Sequence, residues 1–257
     1  MDADAVTDAL VQDGDRLVTT IDGAFTQRSG DAGLLITGVP FPTLNGVLSI
    51  RTSAKADDVD RLLDVAAGQG LPHSLLLRPG CNPELVELVK ARGFVEDESI
   101  PLMAAERDVM PVREAANHPG LAIRQLEPEE ARLHASIGAE GFEAPLEAFE
   151  RLIAPAAIRL PGFRAYVGLA DGEPVTTAVG STLGRYVGVF DVATPARYRG
   201  RGYGRAVTAR AMLDGFESGA SYAYLQSSPM GFKIYERLGF RTLEVWSVWV
   251  SGSPSHS

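Results

Sequence analysis

An internal offset organises this chain. Gly93-Phe94 recurs as Gly239-Phe240 and Pro83 recurs as Pro229, each pair 146 positions apart. Each glycine closes a helix-like stretch and each phenylalanine opens a strand-like one. Carried upstream, the same offset sets His73–Arg78 roughly against Tyr222–Gln226 as strands, and Ala54–Ala67 roughly against Arg201–Leu213 as helices. Repetition on this scale predicts two copies of one domain, and 257 residues suit two modest domains. The chain before Leu34 is too short to complete the first copy, which is therefore expected to be truncated. Residues 3–28 are helix-like only in part, broken by Gly14 and the β-branched Val18–Ile21.

The second copy is the more legible. Leu121–Gln125 and Phe163–Ala170 read as strands, the latter closed by an Asp171-Gly172 turn. Pro174–Leu183 and Tyr186–Val192 continue as an antiparallel meander. Tyr203–Glu217 carries Ala206, Val207, Ala209, Ala211, Met212 and Phe216 at helical spacing. Tyr222–Gln226 reads as a strand, Met230–Leu238 as a helix stopped by Gly239, and Phe240–Val250 as a closing strand. Together these predict an α/β (α+β) fold in two related domains, each a mixed, largely antiparallel sheet flanked by helices. The expected boundaries are 1–114, a linker at 115–120 containing Pro119-Gly120, a domain at 121–250, and a disordered tail at 251–257.

Charge and cysteine usage narrow the function. Lys and Arg total 24 against 33 Asp and Glu, a net charge of −9. That balance disfavours nucleic acid, which needs a basic stripe. Cys81 is the one cysteine, so a reducing, cytoplasmic setting is expected, with no disulfide. No metal site is expected from four scattered histidines, His73, His118, His134 and His256. Met1–Leu10 is acidic rather than signal-like, and no apolar run reaches the ~18 residues of a membrane span.

The strongest chemical signal is Arg199-Gly200-Arg201-Gly202-Tyr203-Gly204, between a strand and the long helix. Glycines let an anion approach the backbone, and unpaired first-turn amides with the helix dipole attract it. Arg199, Arg201 and Arg205 add cationic donors. The loop lacks both the dinucleotide spacing and the Lys-Ser/Thr ending of a nucleotide loop. With Val192-Ala193-Thr194 before it and Tyr235-Glu236-Arg237-Leu238-Gly239-Phe240 after it, this region resembles the GNAT superfamily of acetyl-CoA-dependent N-acetyltransferases over Leu121–Val250.

The resemblance implies acetyl transfer from acetyl-CoA to a primary amine of a small molecule or peptide, by direct attack in a ternary complex. Val192, Ala193 and Thr194 would pair with the pantetheine arm. The amides of Arg199, Gly200, Arg201, Gly202, Tyr203 and Gly204 would hold the pyrophosphate. Ser228 stands where the family often has an asparagine on the cofactor arm. Tyr235 occupies the general-acid position. The glutamate that serves some members as base falls on Gly188; Asp191, Glu140 and Glu143 remain candidates, although strand alternation would turn Asp191 away from Val192. Phe142 and Tyr166 are either acceptor-pocket or core aromatics.

In the first copy Gly202 corresponds to Ala56, Gly204 to Asp58 and Tyr235 to Val89. Carboxylates at 57 and 58 would repel pyrophosphate, so this half is read as a degenerate GNAT-like domain. A non-catalytic acyl-CoA-binding or sensor protein is the alternative. A monomer or homodimer is expected, with Trp246 and Trp249 in the last strand either at a pairing edge or in the core.

Overall fold

The computed structural model describes residues 1–107 and 110–251; the tail expected at 251–257 lies, beyond Ser251, outside the described residues. The chain divides into two compact units, one of Asp2–Leu102 with the chain from Leu243 onward, the other of Met103–Thr242.

The first unit begins with α1 (Ala3–Val18), which runs through Gly14. An antiparallel ladder follows, made of β1 (Phe25–Ser29), β2 (Ala32–Ile36) and β3 (Asn45–Ser49). The helix α2 (Ala56–Ala67) crosses over to β4 (Ser74–Leu77), which pairs parallel to β3. Then come α3 (Glu84–Ala91) and β5 (Phe94–Glu106).

The second unit takes Met103–Glu106 from the end of β5, then α4 (Met110–Ala116) and β6 (Ala122–Gln125). Three helices follow, α5 (Ala131–Phe142), α6 (Leu146–Leu152) and α7 (Pro155–Ile158). The meander is β7 (Phe163–Ala170), β8 (Glu173–Leu183) and β9 (Tyr186–Ala193). The helix α8 (Tyr203–Glu217) crosses over to β10 (Tyr222–Gln226), parallel to β9. Last are α9 (Phe232–Glu236) and β11 (Arg241–Ser251). Both units therefore share one order, two antiparallel pairings and then a crossover helix into a parallel pair. The first lacks a counterpart of β6.

Two expectations are corrected. The units part between Leu102 and Met103, not at 115–120, where Ala115 and Ala116 finish α4 instead. And β11 does not close the second unit: from Leu243 it belongs to the first, antiparallel to β4 through Ser247↔Leu77 and Trp249↔Leu75. Trp249 sits in the core of Leu34, Val47, Leu62, Leu85 and Phe94. Trp246 is fully buried, its indole N–H donating to Glu244 at 2.8 Å. Neither tryptophan lies on an open edge.

Arg78 secures this strand. Its guanidinium, almost wholly buried, donates to both oxygens of Glu244 (2.8 and 2.7 Å), to Asp4 (2.5 Å) and to the Ile50 carbonyl (2.7 Å). Burial alone would raise the Glu244 pKa, but the hydrogen bonds from Arg78 and Trp246 outweigh it and hold the carboxyl below its usual range. That stability is present above the ordinary glutamate pKa and is lost as pH falls through the depressed one. Arg78→Met leaves a partly buried carboxylate without its cation. Denaturant unfolding is expected to show a loss of about 3 kcal/mol at pH 7, shrinking in acid; an unchanged midpoint would refute the assignment.

Candidate active site

The site is built where β9 ends and α8 begins. Pairing of β9 with β10 runs only from Tyr186↔Tyr222 to Tyr224↔Gly188, while β9 continues to Ala193. The two strands part there, leaving an open edge alongside Val189–Ala193. At the same place β8 and β9 lose register: Val179 faces Phe190 and Thr177 faces Ala193, so Asp191 and Val192 together oppose Ala178. This is a β-bulge, and Asp191 pays for it with φ +48°. Aspartate and asparagine are the non-glycine residues that tolerate that region best. The extra residue breaks the alternation that was expected to turn Asp191 away from Val192. Asp191 keeps part of its surface open, yet the surrounding protein pushes its carboxyl up to about 6.

Small residues bring the neighbouring helices close. A Cβ on Gly141 of α5 would stand 2.8 Å from Ala193 Cβ and 3.2 Å from the Thr194 amide. A Cβ on Gly204 would stand 3.3 Å from Thr194 Oγ1 and 3.9 Å from Val192 Cγ1. Val192, Ala193, Thr194 and the head of α8 thus form one surface. Thr194 is braced by Thr176, whose hydroxyl lies 2.9 Å from its own and also donates to the Ala193 carbonyl at 2.8 Å.

Gly200 and Gly202 have φ of +78° and +85°, and Arg201 between them does not share that handedness. Such alternation gathers successive N–H groups into one concavity. From Gly200 to Arg205 the amides donate no hydrogen bond among the described residues; the helix ladder starts at Ala206 N–H to the Gly202 carbonyl, 3.0 Å. Arg205 Nε and Gln226 Nε2, at the tip of β10, are buried without partners. These orphaned donors, in a loop where a Cβ on Gly202 or Gly204 would stand 3.3 Å from His118 or Thr194, fit a pyrophosphate and an amide-bearing arm.

Arg199 is a correction. Its amide donates to the Ala196 carbonyl (3.2 Å), and its guanidinium to the carbonyls of Thr194 (3.1 Å) and Gly141 (2.7 Å). Its amide is taken and two of its five guanidinium N–H groups brace the loop against α5. Arg201 and Tyr203 keep their amides. Ser228 accepts from the Gly231 N–H at 3.3 Å, which makes it the cap of the turn before α9. That turn is why α9 starts at Phe232 rather than Met230.

Tyr235 packs between the core and Gly231, whose Cβ would lie 2.7 Å from the ring, and meets Phe240 edge-on at 5.9 Å. Burial raises its phenol to about 12, so the proton stays on oxygen at any ordinary pH. Gly239, at φ +88°, ends the helix as expected, with the Phe240 N–H reaching the Tyr235 carbonyl at 3.1 Å.

The other base candidates recede. A side chain at Gly188 would meet Phe190 and Tyr224 at 2.5–2.8 Å. Glu140 is ion-paired to Arg197. Glu143 is exposed at the left-handed end of α5. Tyr166 is core, donating to Asp214 at 2.9 Å, whereas Phe142 is exposed and stacks on Phe149.

The first unit has the same parallel pair but not the opening. Arg78 N–H donates to Ser49 Oγ (3.0 Å), Ser49 Oγ to the Leu76 carbonyl (3.4 Å), and the Arg78 side chain to the Ile50 carbonyl. Asp57 and Asp58 occupy the first turn of α2, Asp58 accepting from Ser29 and Arg61. Val89 is buried core where the second unit has Tyr235.

Residues 123–240 match the acetyltransferase (GNAT) family; this part of the chain is a GNAT domain. The whole chain is similar to a GCN5-related N-acetyltransferase from Kribbella flavida, 22% identical over 97% of this chain and 95% of that one, TM-score 0.72. A GCN5-related N-acetyltransferase from Sphaerobacter thermophilus is 15% identical over 86% and 80%, TM-score 0.62. A tandem GNAT protein from the clavulanic acid biosynthesis pathway is 14% identical over 92% and 86%, TM-score 0.57. At these identities the likeness is one of fold, including the tandem arrangement. No curated protein sequence matches the chain. Among the described residues no helix is long and apolar enough to cross a membrane.

Proposed function

We propose that the second unit transfers an acetyl group from acetyl-CoA to a primary amine by direct attack in a ternary complex. The observation that carries this reading is the run of unpartnered amides from Gly200 to Arg205, set beside the edge of β9 where β10 leaves it. Those amides and Arg205 hold the pyrophosphate. Val192, Ala193 and Thr194 pair with the pantetheine arm, and Gln226 donates to it from the other side of the opening. Bound acetyl-CoA supplies the activated acyl carbon. The Val192 N–H polarises its oxygen. Asp191, on the bulge, takes the proton from the attacking nitrogen as the C–N bond forms. Tyr235 gives its phenolic proton to the sulfur as the C–S bond breaks.

The acceptor in this reading is a small molecule or peptide rather than nucleic acid or membrane, which the net charge of −9 disfavours. The lone Cys81 suits the cytoplasm.

Tyr235→Phe tests the assignment. It is expected to bind acetyl-CoA as the wild type does, and to turn over any accepted amine about 100-fold more slowly. An equal kcat would remove the acid role. Intact binding with no turnover of any amine, in the wild type as well, is what a sensor would give.

A further inference from the structure

The segment between α4 and β6 does more than connect. His118-Pro119-Gly120-Leu121 is a turn closed by the Leu121 N–H on the His118 carbonyl (3.3 Å), with Gly120 at φ +78°. Proline second and a left-handed glycine third define a type II turn. It delivers the His118 ring to the anion loop. His118 Nε2 lies 2.8 Å from the Arg201 carbonyl oxygen. A Cβ on Gly202 would stand 3.3 Å from His118 Cδ2 and Nε2, and the ring meets Tyr203 edge-on with centroids 5.3 Å apart. Three consecutive loop residues are therefore touched by one side chain.

A carbonyl only accepts, so Nε2 carries the proton in this bond. Nδ1 is buried without a partner. If packing were the ring's whole purpose, that nitrogen would be a net cost that phenylalanine avoids. The bond to Arg201 is what the imidazole adds. In a trans peptide the C=O and the following N–H point in opposite directions. Fixing the Arg201 carbonyl toward His118 therefore fixes the Gly202 N–H away from it. Without that bond the peptide lies between an arginine and a left-handed glycine, a place where rotation of the whole unit meets little resistance.

We propose that His118 is a positioning residue: it latches the Arg201–Gly202 peptide so that the Gly202 N–H is preset to donate to the pyrophosphate. This rests on the acetyl-CoA reading above. It adds to that reading a residue outside the glycine loop, and it gives the segment at 117–121 a function.

The test compares wild type, His118→Phe and His118→Gln. Phenylalanine keeps the ring contact with Tyr203 and removes the donor, while glutamine keeps a side-chain N–H. Acetyl-CoA binding is measured by calorimetry, beside acetyl-pantetheine, which lacks the pyrophosphate. Backbone order parameters across 200–205 are followed by NMR relaxation without ligand. The expected result is a Kd for acetyl-CoA raised about tenfold in His118→Phe, unchanged affinity for acetyl-pantetheine, and recovery to within about threefold in His118→Gln. The order parameter of the Gly202 N–H should fall in the phenylalanine variant alone. In steady-state assays the loss should fall on KM for acetyl-CoA and spare kcat.

Wild-type affinity in His118→Phe, or equal loss for acetyl-pantetheine, would overturn the latch while leaving the acetyl-CoA reading in place. A wild-type protein that binds no acetyl-CoA would overturn both. A fall in order parameters spread over the whole unit rather than centred on 200–205 would show His118 to be a fold-wide packing residue and would also overturn the proposal.

Discussion

Asp191→Asn is expected to lower kcat about 10²–10³-fold with little change in acetyl-CoA affinity, and to make the protein more stable in mildly alkaline buffer. Asparagine tolerates the left-handed φ of +48° as aspartate does, so the bulge survives and only the ionisable group is removed. The wild-type carboxyl, pushed up to about 6 by burial, should give kcat/KM a limb that falls as pH drops through that value, because a base must be deprotonated to act. The asparagine variant should lack the limb. The sign for stability is the opposite of that for a paired carboxylate. With the folded pKa above the unfolded one, the favourable contribution is full below about pH 3.9 and lost as pH rises through 6. At pH 8 the wild type therefore carries a charge that its surroundings disfavour. Asp191→Asn should raise Tm there by about 2–4 °C and converge with wild type in acid. Wild-type turnover in the variant, with the limb intact, would move the base elsewhere.

The second large effect concerns the loop. Gly202→Val and Gly204→Val are each expected to weaken acetyl-CoA binding by at least about 100-fold. At 202 a β-branched residue must adopt φ +85° and press against the His118 ring 3.3 Å away; at 204 it fills the space between the loop and Thr194 Oγ1, also 3.3 Å away. Circular dichroism should show the fold retained, since both positions are at the surface end of α8. Unchanged affinity in either variant would mean that ligand does not approach the backbone there.

The sequence made the elements themselves readable. An apolar run closed by the Asp171-Gly172 turn placed β7, and helical spacing of apolar residues placed α8, at the bounds the structure has, although both are buried on more than one face. Partnership was not readable. Phe240–Val250 reads as a strand whichever neighbour it takes, and its pairing with β4 depends on a buried arginine more than 160 residues upstream. The same limit explains the site. The residue types at 199–204 announce an anion loop, but that Arg199 is spent on the Gly141 carbonyl is a fact of three dimensions. The bulge at Asp191 was not readable, because alternation assumes no extra residue and a bulge has no clear sequence mark when its left-handed position holds aspartate rather than glycine. His118 was legible as part of a His-Pro-Gly turn but not as a neighbour of Arg201. Arg205 was legible as a cationic donor of the loop, whereas Gln226 stands out only once its buried nitrogen is seen to lack a partner.

Whether the second unit alone holds a working acetyl-CoA site, its counterpart in the first being closed, is decided by calorimetric titration of the whole chain with acetyl-CoA. One site per chain, abolished by Gly202→Val, is the predicted result. Two sites per chain would contradict the closure of the first unit by Ser49, Arg78 and the α2 carboxylates, and no heat of binding at all would contradict the acetyltransferase reading itself.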